Sequence, residues 1–345
     1  MQYKLLGRSG LRVSELALGT MTFGDLGGWG ANKEESHKIF NAYVEAGGNF
    51  IDTTNLYTGG QSEEYVGEFI SSEREKFVVA TKYSLSMNPK NPNGGGNHRK
   101  SLVQSLDASL KRLKTEYIDL YWLHTWDFLT PVEEIMRALD DQVRAGKILY
   151  VGISNTPAWI VSQANTMAAL QGWSPFIGLQ MEYSLIQREA ERDLLPMAEA
   201  FEIGVTAWSP LGGGVLSGKN KNGTTEDSKR ADLNADRLTD RNRTIVATVE
   251  EIAKELGKTP VQVALNWIRQ RKEGPIPILG ARKAAQIRDN LGCLLFQLTQ
   301  EQMDVLNKVS RIELGFPHGF LKTDTVKHLL LGEYKNKLQS PKRNG

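Results

Sequence analysis

The sequence predicts an α/β protein whose eight parallel strands close into a (β/α)8 barrel, the TIM-barrel architecture. Short apolar runs alternate with longer segments of helical period, and this repeat is typical of such barrels. Most runs are apolar at every position, as expected for parallel strands that are covered on both faces. An open, doubly wound sheet is the alternative, but no Gly-x-Gly-x-x-Gly motif follows the first run. The runs lie at residues 16–18, 49–51, 77–80, 117–123, 148–153, 176–179, 204–208 and 276–279.

Three of the intervening segments carry clear helix signals. Apolar residues recur every three to four positions over residues 34–46, and the pair Gly47-Gly48 ends that helix. Leucines form one stripe over residues 101–113. A further helix is expected to begin with Pro131 in its first turn and Thr130 as its N-cap, and to end near Gly146.

The domain organisation follows from the length and from the segments outside the repeat. A chain of 345 residues without a linker-like stretch is expected to form a single barrel domain over residues 1–345. Residues 1–14 predict a β-hairpin, turning at Ser9-Gly10, that closes the barrel bottom. Long loops at 84–100 and 212–240, and a C-terminal extension at 312–345, are expected at the face where the strands end. Loops of this length usually have a function.

The composition disfavours several functional classes. Forty-two Lys and Arg against 40 Asp and Glu give a net charge of +2, so we expect no nucleic-acid partner. Cys293 is the only cysteine, and the five histidines include no His-x-His pair, so we expect no metal site. No apolar run approaches the roughly 18 residues of a membrane span, and the start does not resemble a signal peptide. We therefore expect a cytoplasmic protein; the sequence indicates no oligomeric state.

Polar residues stand where the predicted strands end, and in a barrel these ends converge on one mouth. Asp52, Lys82 and His124 occupy three such ends, and Tyr57 follows Asp52 by five residues. Taken singly, each has a structural interpretation: an ion pair for Asp52 and Lys82, a core histidine, a surface tyrosine. Their placement on one rim favours proton transfer instead. The remaining ends carry Gly19-Thr20-Met21, Ser154-Asn155, Gln180, Trp208-Ser209 and Gly280.

Motifs in order along residues 1–315 resemble the aldo-keto reductases. They are Gly19-Thr20-Met21-Thr22-Phe23-Gly24, Asp52-Thr53-Thr54-Asn55-Leu56-Tyr57, Ala80-Thr81-Lys82, residues 112–120 leading to His124, Gly152-Ile153-Ser154-Asn155 and Trp208-Ser209-Pro210-Leu211. The match is closer to the bacterial branch, similar to the potassium-channel β-subunit group, than to the aldose-reductase branch. Met21 departs from the tryptophan of the channel subunits, whereas His124 keeps the reductase identity where those subunits carry asparagine.

The resemblance implies a catalytic tetrad of Asp52, Tyr57, Lys82 and His124, and the reversible reduction of an aldehyde or ketone to the alcohol. Tyr57 would be the general acid, and Lys82, held by Asp52, is expected to lower the pKa of its phenol. His124 would donate a hydrogen bond to the carbonyl oxygen. A regulatory subunit that senses the cofactor with the same fold is the alternative, and a hydrolytic metal barrel is a weaker one.

The resemblance also implies that NADPH or NADP is the cofactor, in preference to NADH. Ser154, Asn155 and Gln180 would hold the nicotinamide carboxamide, and Trp208 would stack on the ring. Arg282 would face the 2′-phosphate, for which a guanidinium is well suited. The full expected set is Thr20, Met21, Asp52, Ser154, Asn155, Gln180, Trp208, Ser209, Pro210, Leu211, Gly212, Gly213, Lys219, Arg230, Gly280, Arg282, Gln286, Asp289 and Asn290.

The substrate is expected to be a small carbonyl compound in a pocket formed by Trp29, His124, Trp126 and Phe128. Aromatic walls of this kind suit aryl aldehydes, ketosteroid-like rings and sugar faces equally, so the sequence does not identify the carbonyl.

Overall fold

A computed structural model of the chain describes residues 1–26, 29–218, 235–272, 274–334 and 337–338. Eight parallel strands close into a barrel in the order β3-β6-β7-β8-β9-β10-β11-β12, and β12 pairs with β3. Each apolar run predicted from the sequence overlaps one of these strands, so the predicted (β/α)8 barrel is confirmed. The strands are β1 (Tyr3–Leu5), β2 (Arg12–Ser14), β3 (Ala17–Gly19), β4 (Gly24–Leu26), β5 (Trp29–Ala31), β6 (Phe50–Asp52), β7 (Val78–Tyr83), β8 (Ile118–Leu123), β9 (Ile148–Ser154), β10 (Phe176–Glu182), β11 (Gly204–Trp208) and β12 (Ile276–Leu279).

Helices follow the barrel strands. Short 3-10 segments at Tyr57–Gly60, Arg74–Lys76 and Gly212–Ser217 lie between them. The α-helices in the part of the chain that the structure describes are α1 (Lys33–Glu45), α2 (Gln61–Phe69), α3 (Arg99–Leu113), α4 (Val132–Arg144), α5 (Ala158–Gln171), α6 (Leu194–Ala200), α7 (Asp240–Leu256), α8 (Pro260–Arg269), α9 (Ala284–Leu291), α10 (Gln300–Val309), α11 (His318–Leu321) and α12 (Asp324–Leu331).

The predicted start of α4 is wrong in one respect. Pro131 occupies the N-cap position, with φ −57° and ψ 140°, and no side chain caps the helix. Thr130 is not the cap, because its hydroxyl donates to Asp127 Oδ2 at 2.8 Å. The Asp127 carboxylate binds the Thr130 hydroxyl within a local turn, so this hydroxyl does not cap the helix. The prediction that this helix ends near Gly146 is confirmed. The helix α4 ends at Arg144, Ala145 is its C-cap, and Gly146 follows at φ +74°.

The N-terminal hairpin lies at the bottom of the barrel. Strand β1 pairs antiparallel with β2. Leu6 and Val13, both fully buried, pack with Phe50 and Trp122 in the cluster that fills the barrel interior. A Cβ on Gly7 would collide with the backbone oxygen of Ile177, so the hairpin backbone lies directly against the start of β10. The hairpin therefore covers the end of the barrel opposite the mouth.

The chain divides into two compact units, Met1–Ser310 and Arg311–Gly345. The first contains the barrel. The second contains α11 and α12, and within it the rings of Phe316 and Phe320 are tilted against each other, with centres 6.3 Å apart. None of the helices in the described ranges is both long and apolar enough to cross a membrane.

Candidate active site

A buried ion pair lies at the centre of the barrel mouth. Lys82 Nζ, on β7, donates to Asp52 Oδ2 at 2.5 Å and to the Thr53 carbonyl at 2.9 Å. Gln180 Nε2, on β10, donates to Asp52 Oδ1 at 2.9 Å. Lys82 is 0% and Asp52 2% exposed. The carboxylate is thus held from both sides of the barrel. Burial lowers the pKa of Lys82, and the adjacent Asp52 opposes that shift.

Tyr57 is positioned by a tight loop just after β6. Thr58, Gly59 and Gly60 have φ values of 49°, 67° and 98°, in the left-handed region that glycine adopts most readily. The Thr58 hydroxyl donates to the Phe23 carbonyl at 2.6 Å, which ties this loop to the chain after β3. The Tyr57 ring centre consequently lies 5.5 Å from Lys82 Nζ.

The prediction that the pKa of Tyr57 is lowered is wrong. Burial raises the pKa of the Tyr57 phenol well above its ordinary value, and the Asp52 carboxylate raises it further. The Lys82 ammonium, which donates directly to Asp52, does not reverse these two shifts. Tyr57 is accordingly a protonated phenol, which is the form that can donate a proton.

His124 follows β8 at the same mouth. Its backbone N–H donates to the Tyr83 carbonyl at 3.0 Å, and its carbonyl accepts from Asn155 Nδ2 at 2.9 Å. Burial, followed by the charge of Lys82, lowers the pKa of the imidazole to about 3. The ring is therefore neutral near pH 7. Its buried Nδ1 has no hydrogen-bond partner within the ranges that the structure covers.

The expected carboxamide clamp lies across the mouth from Tyr57. Trp208 Nε1, at the end of β11, donates to Asn155 Oδ1 at 3.0 Å, and Gln180 is already bonded to Asp52. The Ser154 hydroxyl, at the end of β9, is buried without a partner among the described residues. An unsatisfied buried hydroxyl is costly, and an amide ligand at this point would satisfy it.

Two further expected cofactor residues, Thr20 and Met21, directly follow β3. The Thr20 backbone N–H and hydroxyl both donate to the Asp52 carbonyl, at 3.0 and 3.2 Å. Thr20 thereby fixes the end of β6 beneath the site. Met21, in contrast, leaves 46% of its surface exposed.

The segment after β11 is a compact loop of small residues. Ser209, Gly212 and Gly213 have φ values of 52°, 58° and 71°. Gly212 N–H donates to the Ser209 carbonyl and Gly213 N–H to Ser209 Oγ, at 2.8 and 2.9 Å. Pro210 is buried and Leu211 half-buried between them. The expected contributors Lys219 and Arg230 lie outside the described residues.

The expected adenosine-binding residues lie at the start of α9, and several are bonded within the protein. Gln286 Oε1 accepts from the backbone N–H groups of Arg282 and Lys283, at 2.8 and 3.2 Å. Asn290 Nδ2 donates to the Gly280 carbonyl at 3.3 Å, and Gly280 itself is exposed. The Arg282 side chain is half-buried.

Asp289 joins α9 to α8. Its Oδ1 accepts from Gln262 Nε2 at 2.8 Å and from the Thr259 hydroxyl at 3.1 Å. Its carboxylate therefore contributes to the packing of two helices.

Besides His124, the expected substrate residues differ in how exposed their side chains are and in whether the structure describes them. Trp126, 8% exposed, meets the ring of Phe128 edge-on at 6.5 Å, and Phe128 is 71% exposed. Both follow His124 in the loop between β8 and α4. Trp29 begins β5, in the loop between β3 and α1, but its side chain lies outside what the structure describes.

Sequence reasoning missed a second buried carboxylate behind the ion pair. Glu63, fully buried on α2, accepts from the Thr81 hydroxyl at 2.5 Å and from Arg112 Nε at 2.6 Å. Its charge raises the pKa of Lys82. Arg112 also packs against the Tyr57 loop, where a Cβ on Gly60 would come within 2.8 Å of its Cδ. In the sequence, Glu63 looks like an ordinary acidic residue in a first helical turn.

Comparison with known proteins defines the class of this chain. The sequence profile of the Aldo/keto reductase family matches residues 15–311. A norsolorinic acid reductase of Aspergillus flavus is 35% identical over 329 residues, covering 92% of this chain and 83% of that protein. An aryl-alcohol dehydrogenase of Pestalotiopsis microspora is 35% identical over 330 residues, covering 93% and 85%. The aldo-keto reductase ausK of Aspergillus calidoustus is 36% identical over 345 residues, covering 94% and 85%.

The protein is thus an oxidoreductase built on an eight-stranded barrel. It belongs to the aldo/keto reductase family, as its motifs predicted. Its placement in the bacterial branch stays a prediction.

Proposed function

We propose that this protein catalyses the reversible, NADPH-dependent reduction of an aryl aldehyde or ketone to the alcohol, with Tyr57 as general acid. The observation that carries the proposal is the buried Lys82–Asp52 pair beside a protonated tyrosine. The bound cofactor supplies a hydride for the carbonyl carbon. The chain must then deliver a proton to the carbonyl oxygen and hold both reactants in place.

Proton delivery falls to the Tyr57 hydroxyl. Loss of its proton leaves a phenolate, and the cation 5.5 Å from the ring stabilises this anion more than it does the neutral phenol. Asp52 keeps Lys82 charged in a buried position and fixes the direction of its ammonium. In alcohol oxidation the same phenolate would accept the proton.

Substrate orientation falls to His124. A neutral imidazole carries one N–H donor, and a low pKa keeps His124 neutral throughout the physiological range. It can therefore donate a hydrogen bond to the carbonyl oxygen without competing with Tyr57 as an acid.

The cofactor residues fit a nicotinamide dinucleotide. The unpartnered Ser154 hydroxyl is available for the carboxamide, beside Asn155 and Gln180. The loop of small residues at 209–213 allows close approach of phosphates to the backbone. Preference for NADPH rests on Arg282, a cation beside the start of α9.

The aryl character of the substrate is supported by two independent facts. Trp126 and Phe128 follow His124 directly, and one of these rings is largely exposed at the mouth. Two relatives are named for norsolorinic acid and for aryl alcohols. With Trp29 and His124, these rings form the proposed substrate pocket.

An NADPH-oxidation assay tests the proposal. Steady oxidation is expected with benzaldehyde and 2-naphthaldehyde, and slower oxidation with NADH. Tight NADPH binding without turnover of any aldehyde or ketone would contradict the proposal and favour a cofactor-sensing subunit.

A further inference from the structure

The long loop between β7 and α3 is exposed along most of its length but fixed at its base. Residues 86–93 are exposed, whereas Ser84 and Asn97, at the two ends, are buried. Gly96 N–H donates to the Ser84 carbonyl at 2.7 Å and closes the base of the loop. The Tyr83 hydroxyl donates to the Asn97 carbonyl at 3.2 Å. The loop therefore presents one rigid, buried residue, Asn97, to its neighbour.

That neighbour is the loop between β8 and α4. Asp127 N–H donates to Asn97 Oδ1, and Asn97 N–H donates to Asp127 Oδ2, both at 2.8 Å. Asn97 Nδ2 adds a bond to the Thr125 carbonyl at 2.8 Å. Asn97 is fully buried. The two side chains thus bond each other's backbone reciprocally, 30 residues apart in sequence.

Asp127 also holds the conformation of its own loop. Its Oδ1 accepts from the N–H groups of Leu129 and Thr130, at 2.8 and 2.9 Å. Phe128, between Asp127 and Leu129, adopts φ +57°, which is uncommon for a residue with a bulky side chain. A strained residue of this kind persists where its surroundings fix it. The Asp127 carboxylate therefore supports both the turn at Phe128 and the hydrogen-bonded contact between Asn97 and Asp127, here called the joint between the loops.

The same joint borders the proposed substrate pocket. Trp126 immediately precedes Asp127, and its N–H donates to the Asn155 carbonyl at 3.5 Å. Thr125 exchanges bonds with Ser84 Oγ, at 3.1 and 3.3 Å. The backbone of Trp126 is consequently held between Asn155 and the two joined loops, and its ring contacts that of Phe128.

We infer that Asn97 and Asp127 form a latch that sets specificity for large aryl carbonyls by fixing Trp126 and Phe128 as a pocket wall. This inference rests on the proposed function. Neither latch residue touches the reacting atoms; both act by positioning. A small aliphatic aldehyde needs only Tyr57 and His124, whereas a two-ring substrate also needs the wall.

The test uses Asn97→Ala and Asp127→Asn, each compared with wild type on 2-naphthaldehyde and on propanal. Asn97→Ala removes the side-chain bonds to Asp127 N–H and to the Thr125 carbonyl, and losing one such neutral bond costs about two- to tenfold in an equilibrium. KM for 2-naphthaldehyde should rise by about that factor, while kcat for propanal and NADPH affinity stay within about twofold. The control is Asp140→Asn, which loosens bonds to Ser174 N and Oγ, at 2.9 and 3.0 Å, just before β10 at the opposite end of the barrel.

Hydrogen exchange gives a readout that does not depend on activity. In Asn97→Ala, the amides of residues 127–130 should exchange faster although they lie in the other loop. If Asn97→Ala does not fold, Asp127→Asn carries the same test, with exchange followed at residues 96–98. Unchanged exchange across the joint overturns the latch. Faster exchange with an unchanged ratio of kcat/KM for the two aldehydes overturns its role in specificity. Wild-type protein that reduces neither aldehyde overturns the proposed function itself, and the specificity inference with it.

Discussion

Two buried ion pairs in this protein differ in how completely their cations are hydrogen-bonded. Arg74, between α2 and β7, donates to Asp119 Oδ2 at 2.6 Å and also to the Thr115 hydroxyl and the carbonyls of Phe77 and Tyr117. Asp119 accepts a further bond from Val79 N–H, and its pKa is raised by burial. The guanidinium also lies over the Tyr117 ring at 4.2 Å.

The Lys82–Asp52 pair is more deeply buried, but its cation uses a smaller share of its hydrogen-bond donors. The lysine has three N–H donors and uses two, for Asp52 and Thr53; no acceptor for the third lies in the described parts of the chain. Its Nζ lies 5.5 Å from the centre of the Tyr57 ring.

The comparison separates a structural pair from the pair that we propose to be reactive. A guanidinium whose donors are nearly all used has little capacity to stabilise new charge. An ammonium with an unused donor beside an ionisable phenol retains that capacity. Burial of an ion pair therefore does not by itself indicate function; the incomplete coordination of the cation does.

The largest expected effect comes from removing the acid beside the reactive pair. Tyr57→Phe should lower kcat by about 10²–10⁴, the usual contribution of general acid catalysis, with NADPH affinity nearly unchanged. Steady-state kinetics with a cofactor titration measure both.

Tyr183→Phe is the matched control for that variant. The Tyr183 hydroxyl donates to Glu191 at 2.6 Å, and its ring stacks on Trp267 of α8, so its loss should affect stability rather than kcat. Wild-type kcat in Tyr57→Phe would show that another group supplies the proton.

A smaller effect is expected at the cofactor side. Arg282→Ala should weaken NADPH binding by about 10- to 150-fold, the value of one charge-assisted contact, and leave NADH almost unaffected. Fluorescence titration with both cofactors measures the difference. Arg288→Ala, which changes an exposed arginine on α9, the helix that Arg282 precedes, is the control. Equal changes for the two cofactors would refute the role of Arg282.

The smallest effect concerns pH. The pKa of His124 is lowered from 6.5 to about 3, so between these values the unfolded chain binds more protons than the folded one. Stability should therefore fall as the pH drops from 6.5 towards 3. His124→Gln should lose less stability over that range, as urea unfolding at several pH values would show. If wild type and His124→Gln lose the same stability over that range, the prediction of a lowered pKa for the His124 imidazole is wrong.

The fold and the tetrad positions were predictable because they depend on local patterns. Fully apolar runs mark parallel barrel strands, and Asp52, Lys82 and His124 follow from the rule that strand ends converge. The protonated state of Tyr57 was not predictable, since it depends first on how deeply the phenol is buried and then on the nearby Asp52 charge. Glu63 was missed because its burial also arises only in the folded chain.

Contacts between distant loops were equally hidden from the sequence. Asn97 lies in an Asn- and Gly-rich stretch that reads as a loop, and nothing in it indicates a partner 30 residues away. Thr130 was predicted as a helix cap because threonine favours that role, but its hydroxyl donates a hydrogen bond to Asp127 instead.

The most direct measurement compares Lys82→Met with Arg74→Met, recording kcat per NADPH-binding site and the free energy of unfolding. Breaking a buried pair costs about 3–5 kcal/mol of stability, so both variants should be less stable than wild type. Only Lys82→Met should also lose kcat, by about 100-fold or more, with alcohol oxidation shifted to higher pH. Wild-type kcat in Lys82→Met, or an equal loss of kcat in Arg74→Met, would contradict the assignment of the mouth pair as the reactive one.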